Sequence, residues 1–474
     1  RKLMSTEKYA SDLESLRNYT TPEWYKDAKF GIYTHWGPYA VPAHTNEWYP
    51  NLMYDRDNAA FQHHSDTWGR QKEFGYKDFI PMFTAGNWDP EYWADLFKRA
   101  GARFAGPVAE HHDGFPMYDC SFTDWNSVKM GPKRDVTAEQ KKAFEAVGMK
   151  FVVTSHRAHN ARHFRFEDDF DTMDPSSKGI YWKPWKNADD PVDEEFMIDW
   201  LGRTKELIDK FVPDILWFDF GWHRKEFTPY RLELVAYYYN QAQAWGKEVV
   251  MNYKDHLFDG AGVYNIERGK LAGIREEYWQ TDTAVGKIAW GYIENEEFKS
   301  ATRLVHDLVD IVSKNGNVLL SFGPRPDGVI PEEVEGLLLA QGTWLEVNGE
   351  AIYGTRHWEK FGEGPTAVDG GHFSEKTDKP FTNKDYRFTV RPGSGKSNQP
   401  EALYAIAMGW PGITANVKSL ATGCGIKTEK IQRVSMLGID GDLEWKQDHE
   451  GLHVTLPSKR PCEHAYALKL WLRD

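Results

Sequence analysis

Six stretches of this chain share one design: a run of apolar, β-branched or aromatic residues that breaks off abruptly into polar ones. They are Phe30–Thr34 before His35, Phe104–Ala109 before Glu110, His111, His112 and Asp113, and Phe151–Thr154 before Ser155 and His156. Ile215–Phe218 before Asp219, Val249–Met251 before Asn252 and Lys254, and Val318–Ser321 before Gly323 complete the set. Short apolar runs of this kind read as strands buried on both faces. Helical patterns fall between them. Asp193 is placed as an N-cap ahead of Glu194 and Glu195, and Ile198, Leu201, Leu207, Ile208 and Phe211 approximate one face. Tyr92–Ala100 reads the same way, with Gly101 as its stop.

Alternation of strand and helix implies parallel strands joined by right-handed crossovers. No glycine-rich phosphate fingerprint follows the first strand, which disfavours a dinucleotide-binding sheet. Polar residues after six separate strands favour a barrel, because a barrel gathers the C-terminal ends of its strands at one mouth. With six or seven convincing strands, the expectation is an irregular (β/α)8-like, TIM-type barrel. Past Trp344, Leu345, Asn348, Gly349 and Ile352 the texture changes to short alternating runs, namely Arg387–Val390, Leu403–Ala407, Arg433–Leu437, Leu452–Leu456 and Ala465–Trp471. Glycine and proline turns separate them, as in an antiparallel β-sandwich. The chain therefore divides into a barrel over 1–355 and a sandwich over 356–474. The long connection 156–191, rich in acids and aromatics, is either functional or a solvated excursion.

The length of 474 residues suits a large barrel plus a smaller module. A net charge of −13 argues against a nucleic-acid partner, which needs basic surface, and disfavours strongly anionic polysaccharides. No apolar run reaches membrane-spanning length, so no membrane insertion is expected. The chain opens on Arg1, consistent with an export signal removed upstream, and a secreted or periplasmic location is the expectation. Three cysteines allow one disulfide at most, and Cys424 with Cys462 is the expected pair if both lie in the sandwich.

The run Asp214–Trp222 concentrates the chemistry. An apolar strand delivers the Asp219 carboxylate among Trp217, Gly221 and Trp222, and a carboxylate there must be solvated, hydrogen-bonded or paired. Indoles stack on the C–H faces of sugars and a carboxylate can attack an anomeric carbon, so the run points to glycoside chemistry. Three further groups belong with it: His35-Trp36-Gly37 with Glu47-Trp48, then Glu110–Gly114, then Asn252 to Trp279 with Lys254, Glu267, Arg268, Glu276 and Glu277. His111, His112 and Asp113 would reach one metal ion only on a turned loop, since neighbours on a strand face opposite ways. Imidazoles exchanging hydrogen bonds with sugar hydroxyls are preferred, and no metal or cofactor is expected.

The runs Lys29–Gly37, Asn46–Tyr49, His111–Phe115, Thr123–Asn126 with Lys133–Asp135, and Leu216–Asp219 closely resemble the α-L-fucosidase family of glycoside hydrolases, family 29. So do Trp279–Thr283, Trp290–Tyr292, Ser313–Asn317, Gly323–Pro324, Asp327–Gly328, Asn348–Tyr353 and Met436–Gly438, in the family's order. The resemblance implies an irregular barrel followed by a β-sandwich, and retaining hydrolysis of terminal α-L-fucosyl residues on an oligosaccharide or glycan. Asp219 matches the nucleophile. His35, Glu47, Trp48, His111 and His112 match residues that hold the fucose hydroxyls, and Trp217 matches an aromatic of the pocket. His156, Lys254 and Trp279 complete the candidate substrate contacts. The acid/base is not kept at one position in the family. Asn252-Tyr253-Lys254 stands where many members have Asn-Asp-Arg, and Gln280 replaces a glutamate found in others. Glu267 is the favoured acid/base, with Arg268 and Lys254 able to tune its charge and Glu276 or Glu277 as alternatives. A hydrolase of a related sugar, such as an α-L-galactoside or a fucan fragment, and a catalytically silent fucose-binding lectin are the competing readings. The sandwich is expected chiefly to pack against the barrel.

Overall fold

The computed structural model describes residues 8–393 and 400–473. Arg1, on which the expectation of an export signal rests, lies outside them. Eight parallel strands close into a barrel in chain order. They are β1 (Phe30–Thr34), β2 (Phe104–Glu110), β3 (Lys150–Ser155), β4 (Ile215–Phe218), β5 (Val250–Tyr253), β6 (Val263–Glu267), β7 (Trp279–Ala284) and β8 (Gly316–Phe322). β8 returns to β1 with Val318 opposite Phe30, which leaves no free edge. The helices between strands start where a side chain can satisfy free N–H groups. Asp193 accepts from Phe196 N, Asp89 from Tyr92 N, Asp135 from Ala138 N and Ser300 from Arg303 N. At Gly106 on β2 a β-carbon would sit 1.6 Å from the Val152 carbonyl oxygen, so the β2–β3 approach admits glycine alone.

The irregularity lies between β5 and β7, where turns rather than helices join the strands. β6 and β7 are also the two strands that the apolar-run pattern passes over. Their buried positions Asn265, Gln280 and Asp282 are polar and bonded to one another rather than greasy: Gln280 Nε2 donates to Asn265 Oδ1 (3.0 Å) and Asn265 Nδ2 to Asp282 Oδ1 (2.6 Å).

Beyond the helix Glu332–Asn348, two antiparallel sheets form the C-terminal module. One has five strands in the order β13-β16-β11-β10-β9, the other three in the order β12-β15-β14. These strands are β9 (Arg356–Glu363), β10 (Tyr386–Arg391), β11 (Ala402–Ala407), β12 (Thr414–Val417), β13 (Ile431–Met436), β14 (Trp445–Asp448), β15 (Gly451–Thr455) and β16 (Tyr466–Leu472). Phe388, Leu403 and Leu468 of the larger sheet share one core with Val417, Leu452 and Val454 of the smaller. A buried ion cluster ties module to barrel: Asp310 receives Lys314 at 2.9 Å and Arg387 of β10 at 2.7 Å. The expected disulfide does not form. Cys424 and Cys462 are free thiols, Cys462 lying 3.2 Å from the Ala465 carbonyl oxygen and Cys424 3.6 Å from that of Ile426. No helix among the described residues is long and apolar enough to cross a membrane.

Candidate active site

The polar residues that follow β1 to β7 converge on a cavity of about 560 Å³ at the C-terminal mouth of the barrel. His35, Glu47, Trp48, His111, His112, His156, Trp217, Asp219, Lys254 and Glu267 all line it. Asp219 follows directly on β4, and its backbone N–H donates to the Ser155 carbonyl at 3.2 Å. Lys254, just past β5, reaches back to clasp two carboxylates, Asp219 Oδ1 at 2.6 Å and Glu267 Oε2 at 2.7 Å. Two oxygens on one nitrogen can be no further apart than those lengths together, about 5.3 Å. That ceiling admits the roughly 5 Å carboxyl spacing of a retaining glycosidase and falls short of the roughly 6.5–9.5 Å of an inverting one.

Three carboxyl groups and one ammonium share this buried space. Burial alone would raise Asp219, but Lys254, His156 and His112 hold it well below the usual carboxylate range. Burial would likewise deprotonate Lys254, yet Asp219 and Glu267 lift it well above an ordinary lysine. The third carboxyl is Asp282, the register partner of Glu267 on β7, which takes a hydrogen bond from Tyr33 OH at 2.9 Å. Burial pushes Asp282 up to about 7, the charge of Glu267 adding to it against the pull of Lys254. One cation faces three carboxyls, two of them buried, and Asp282 is the one that holds its proton up to near-neutral pH.

On the other side of Asp219 stand imidazoles. His112 Nε2 lies 3.2 Å and His156 Nε2 3.7 Å from Asp219 Oδ2, while His112 Nδ1 faces the His156 carbonyl at 2.8 Å. β2 ends at Glu110 and the chain turns, so the adjacent His111 and His112 both face the cavity. Burial keeps His35 and His111 well below the ordinary imidazole range and takes His156 to about 3. Neutral rings both donate and accept, as sugar hydroxyls require. The Nδ1 atoms of His111 and His156 are buried and bond to no protein group. His35 is oriented by Ser321 Oγ at 2.7 Å, and Glu47 accepts from Trp290 N at 2.9 Å and Gly291 N at 3.4 Å. Trp48 lies parallel to Phe220, 6.1 Å between centroids, and edge-on to His112. As to metals, one ring nitrogen from each of His35, His111 and His156 lies within 4.8 Å of the others, a neutral donor set suited to a borderline transition ion. Asp113 is no part of it, since it accepts from Tyr76 OH at 2.6 Å. Glu110 points behind the strand into a buried pairing with Arg157 and Arg203.

Three expectations fail. Trp279 is not a substrate contact: it faces outward from the barrel, fully buried, its indole N–H on the Lys314 carbonyl at 2.8 Å. Strand alternation turns its neighbours Gln280 and Asp282 inward instead. Glu276 and Glu277 precede β7 at the barrel's opposite end, Glu277 exposed and paired with Arg275, so neither can serve as acid here. Arg268 too bypasses Glu267, donating to the Gly286 and Ala289 carbonyls and to Glu375. The connection 156–191 is no solvated excursion, since Phe164, Phe170, Ile180 and Tyr181 are buried and its His163 packs against Trp48.

The cavity has walls that strand-end reasoning does not reach. Tyr33, on β1 two residues before His35, had the alternation to reveal it; Trp290 and Phe220 lay within quoted runs but were given no role. His372 and Phe373 had no such signal, because they come from the C-terminal module. The chain leaving β9 crosses the barrel mouth as a strap before returning as β10. Gly371 N donates to the Lys270 carbonyl (2.9 Å), Phe373 N to that of Glu267 (2.7 Å) and Glu375 N to that of Arg268 (3.1 Å). Asp378 pairs with Lys270 at 2.9 Å and with Arg303 at 2.6 Å. Glu375 pairs with Lys299 at 3.0 Å and Arg268 at 3.1 Å and accepts from Thr283 Oγ1 at 2.7 Å. Burial opposes its ionisation, but these partners hold it at about 2, below the ordinary 4.5. A depressed acid stabilises the fold fully above its unfolded pKa and loses that contribution as pH falls through its folded one. Glu375→Gln should therefore be less stable than the parent at pH 6, by up to about 3 kcal/mol, and melt at a lower temperature. In thermal melts that gap should narrow steadily below pH 4.5; a gap independent of pH would exclude the ion pairs as its source.

A barrel mouth with two carboxyls at this spacing, ringed by neutral imidazoles and indoles, defines a glycoside hydrolase site. The family model "Alpha-L-fucosidase" matches residues 1–350, and "Alpha-L-fucosidase C-terminal domain" matches 380–471. The chain belongs to the α-L-fucosidase family. It is 30% identical to the tissue alpha-L-fucosidase of Rattus norvegicus over 98% of this chain and 92% of the relative. It is also 30% identical to that of Homo sapiens, over 99% and 93%. The crystal structure of Thermotoga maritima alpha-fucosidase in complex with fucose superposes with a TM-score of 0.76 at 30% identity, covering 98% of this chain and all of the other. Residues 351–379, which include His372 and Phe373, lie between the two matched stretches.

Proposed function

We propose that this chain is a retaining exo-α-L-fucosidase in which Asp219 is the nucleophile and Glu267 the acid/base. Lys254 keeps Asp219 ionised, and the carboxylate attacks the anomeric carbon of a terminal α-L-fucosyl unit as Glu267 protonates the departing oxygen. Water deprotonated by Glu267 then cleaves the fucosyl ester, and two inversions leave L-fucose in its original α-configuration. His35, His111, His112, His156 and Glu47 exchange hydrogen bonds with the sugar hydroxyls. Trp217, over which Lys254 sits at 4.9 Å, offers an apolar surface to the ring. The observation that supports this reading is the Lys254 clasp, which holds two carboxyls on one cavity closer together than inverting hydrolysis needs.

The test is hydrolysis of an aryl α-L-fucoside and of terminally fucosylated oligosaccharides, with the product followed by NMR. α-L-Fucose should form first and mutarotate afterwards. β-L-Fucose as first product, or faster cleavage of the matching α-L-galactoside, would overturn the mechanism or the sugar assignment respectively. Binding of fucose without turnover would leave a lectin.

A further inference from the structure

We propose that the strap from the C-terminal module builds the subsite for the leaving sugar, with Phe373 as the stacking platform for the apolar face of a pyranose. The inference rests on Glu267 being the acid. A proton donor must sit beside the oxygen that departs, so the wall adjoining Glu267, away from the hydroxyl-binding imidazoles, borders the leaving group. That wall is the strap. Phe373 N donates to the Glu267 carbonyl at 2.7 Å, and Glu267 N donates to His372 Nδ1 at 3.0 Å. With Nδ1 accepting, neutral His372 carries its hydrogen on Nε2, which faces Tyr264 OH at 3.0 Å.

Phe373 itself is a large apolar side chain left 46% exposed on the cavity wall. Its backbone is left-handed, at φ +59°. That conformation is disfavoured for any residue with a β-carbon. Lys376 Nζ lies 5.6 Å from the ring centroid, and among the described residues no aromatic ring packs against it. Burial does not account for a ring so placed, whereas a platform beside the acid does. Strain that persists because its surroundings dictate it marks functional walls, and here the dictating groups are the Glu375 and Asp378 ion pairs on either side of Lys376.

The experiment compares two fucosides whose alcohol leaving groups both need the acid: a fucosyl disaccharide, which offers a pyranose, and methyl α-L-fucoside, which does not. In Phe373→Ala the ratio of their kcat/KM values, disaccharide over methyl, should fall about tenfold from the parent's, and Phe373→Tyr should restore it. A fall of less than fivefold in Phe373→Ala overturns the proposal. An equal loss on both substrates also overturns it, and marks the strap as a support for Glu267 rather than a sugar site. If the parent cleaves neither substrate, the fault lies with the assignment of Glu267 and Asp219, not with the subsite.

Discussion

Asp219→Ala should lose turnover of aryl α-L-fucosides by a factor on the order of 10⁴ or more, because the proposed nucleophile is gone and the steps that depend on the fucosyl ester go with it. The fold survives, since Lys254 retains Glu267 as a partner. Circular dichroism and calorimetric binding of L-fucose establish that what remains is a folded, sugar-binding protein. The chemistry supplies a second readout. Azide entering the space vacated by the carboxylate attacks the face that Asp219 attacks and gives β-L-fucosyl azide. A folded variant that keeps more than a hundredth of the parent activity would rule Asp219 out as nucleophile.

Glu267→Ala fails differently. Loss of a positioned general acid costs about 10² to 10⁴ in rate where the leaving group needs a proton. Alkyl fucosides and fucosylated oligosaccharides should show that full loss, and a dinitrophenyl fucoside far less. Azide then replaces the activated water, attacks the fucosyl-enzyme from the opposite face, and gives α-L-fucosyl azide with faster turnover. The two variants are thus told apart by product configuration alone. Equal loss on good and poor leaving groups, or no azide product, would remove Glu267 from the acid/base role.

Most of the fold was legible because burial on both faces writes apolar runs, and abrupt ends to those runs mark the mouth. Six barrel strands carried that signature. β6 and β7 did not, since their inward residues Asn265, Gln280 and Asp282 satisfy one another by hydrogen bonds. The same blind spot explains two site errors. Trp279 looked like a sugar contact because it is aromatic, yet the parity of its strand sends it outward and Asp282 inward. Asp282 was quoted within a motif without a role, and its position opposite Glu267 depends on a register that no local pattern specifies. His372 and Phe373 were beyond reach for a simpler reason. Their neighbours in space are more than a hundred residues away along the chain, 105 in the case of Glu267 and His372. The Cys424–Cys462 pairing failed on placement within the module, not on the arithmetic.

That separation has a consequence for how the molecule comes into being. A ribosome lays down all eight barrel strands well before it reaches residue 372, so the nascent barrel exists for a time without its final wall. That wall arrives only with the last quarter of the polypeptide. Loss of everything beyond residue 355 would take His372 and Phe373 from the cavity while sparing His35, Glu47, His111, His112 and His156.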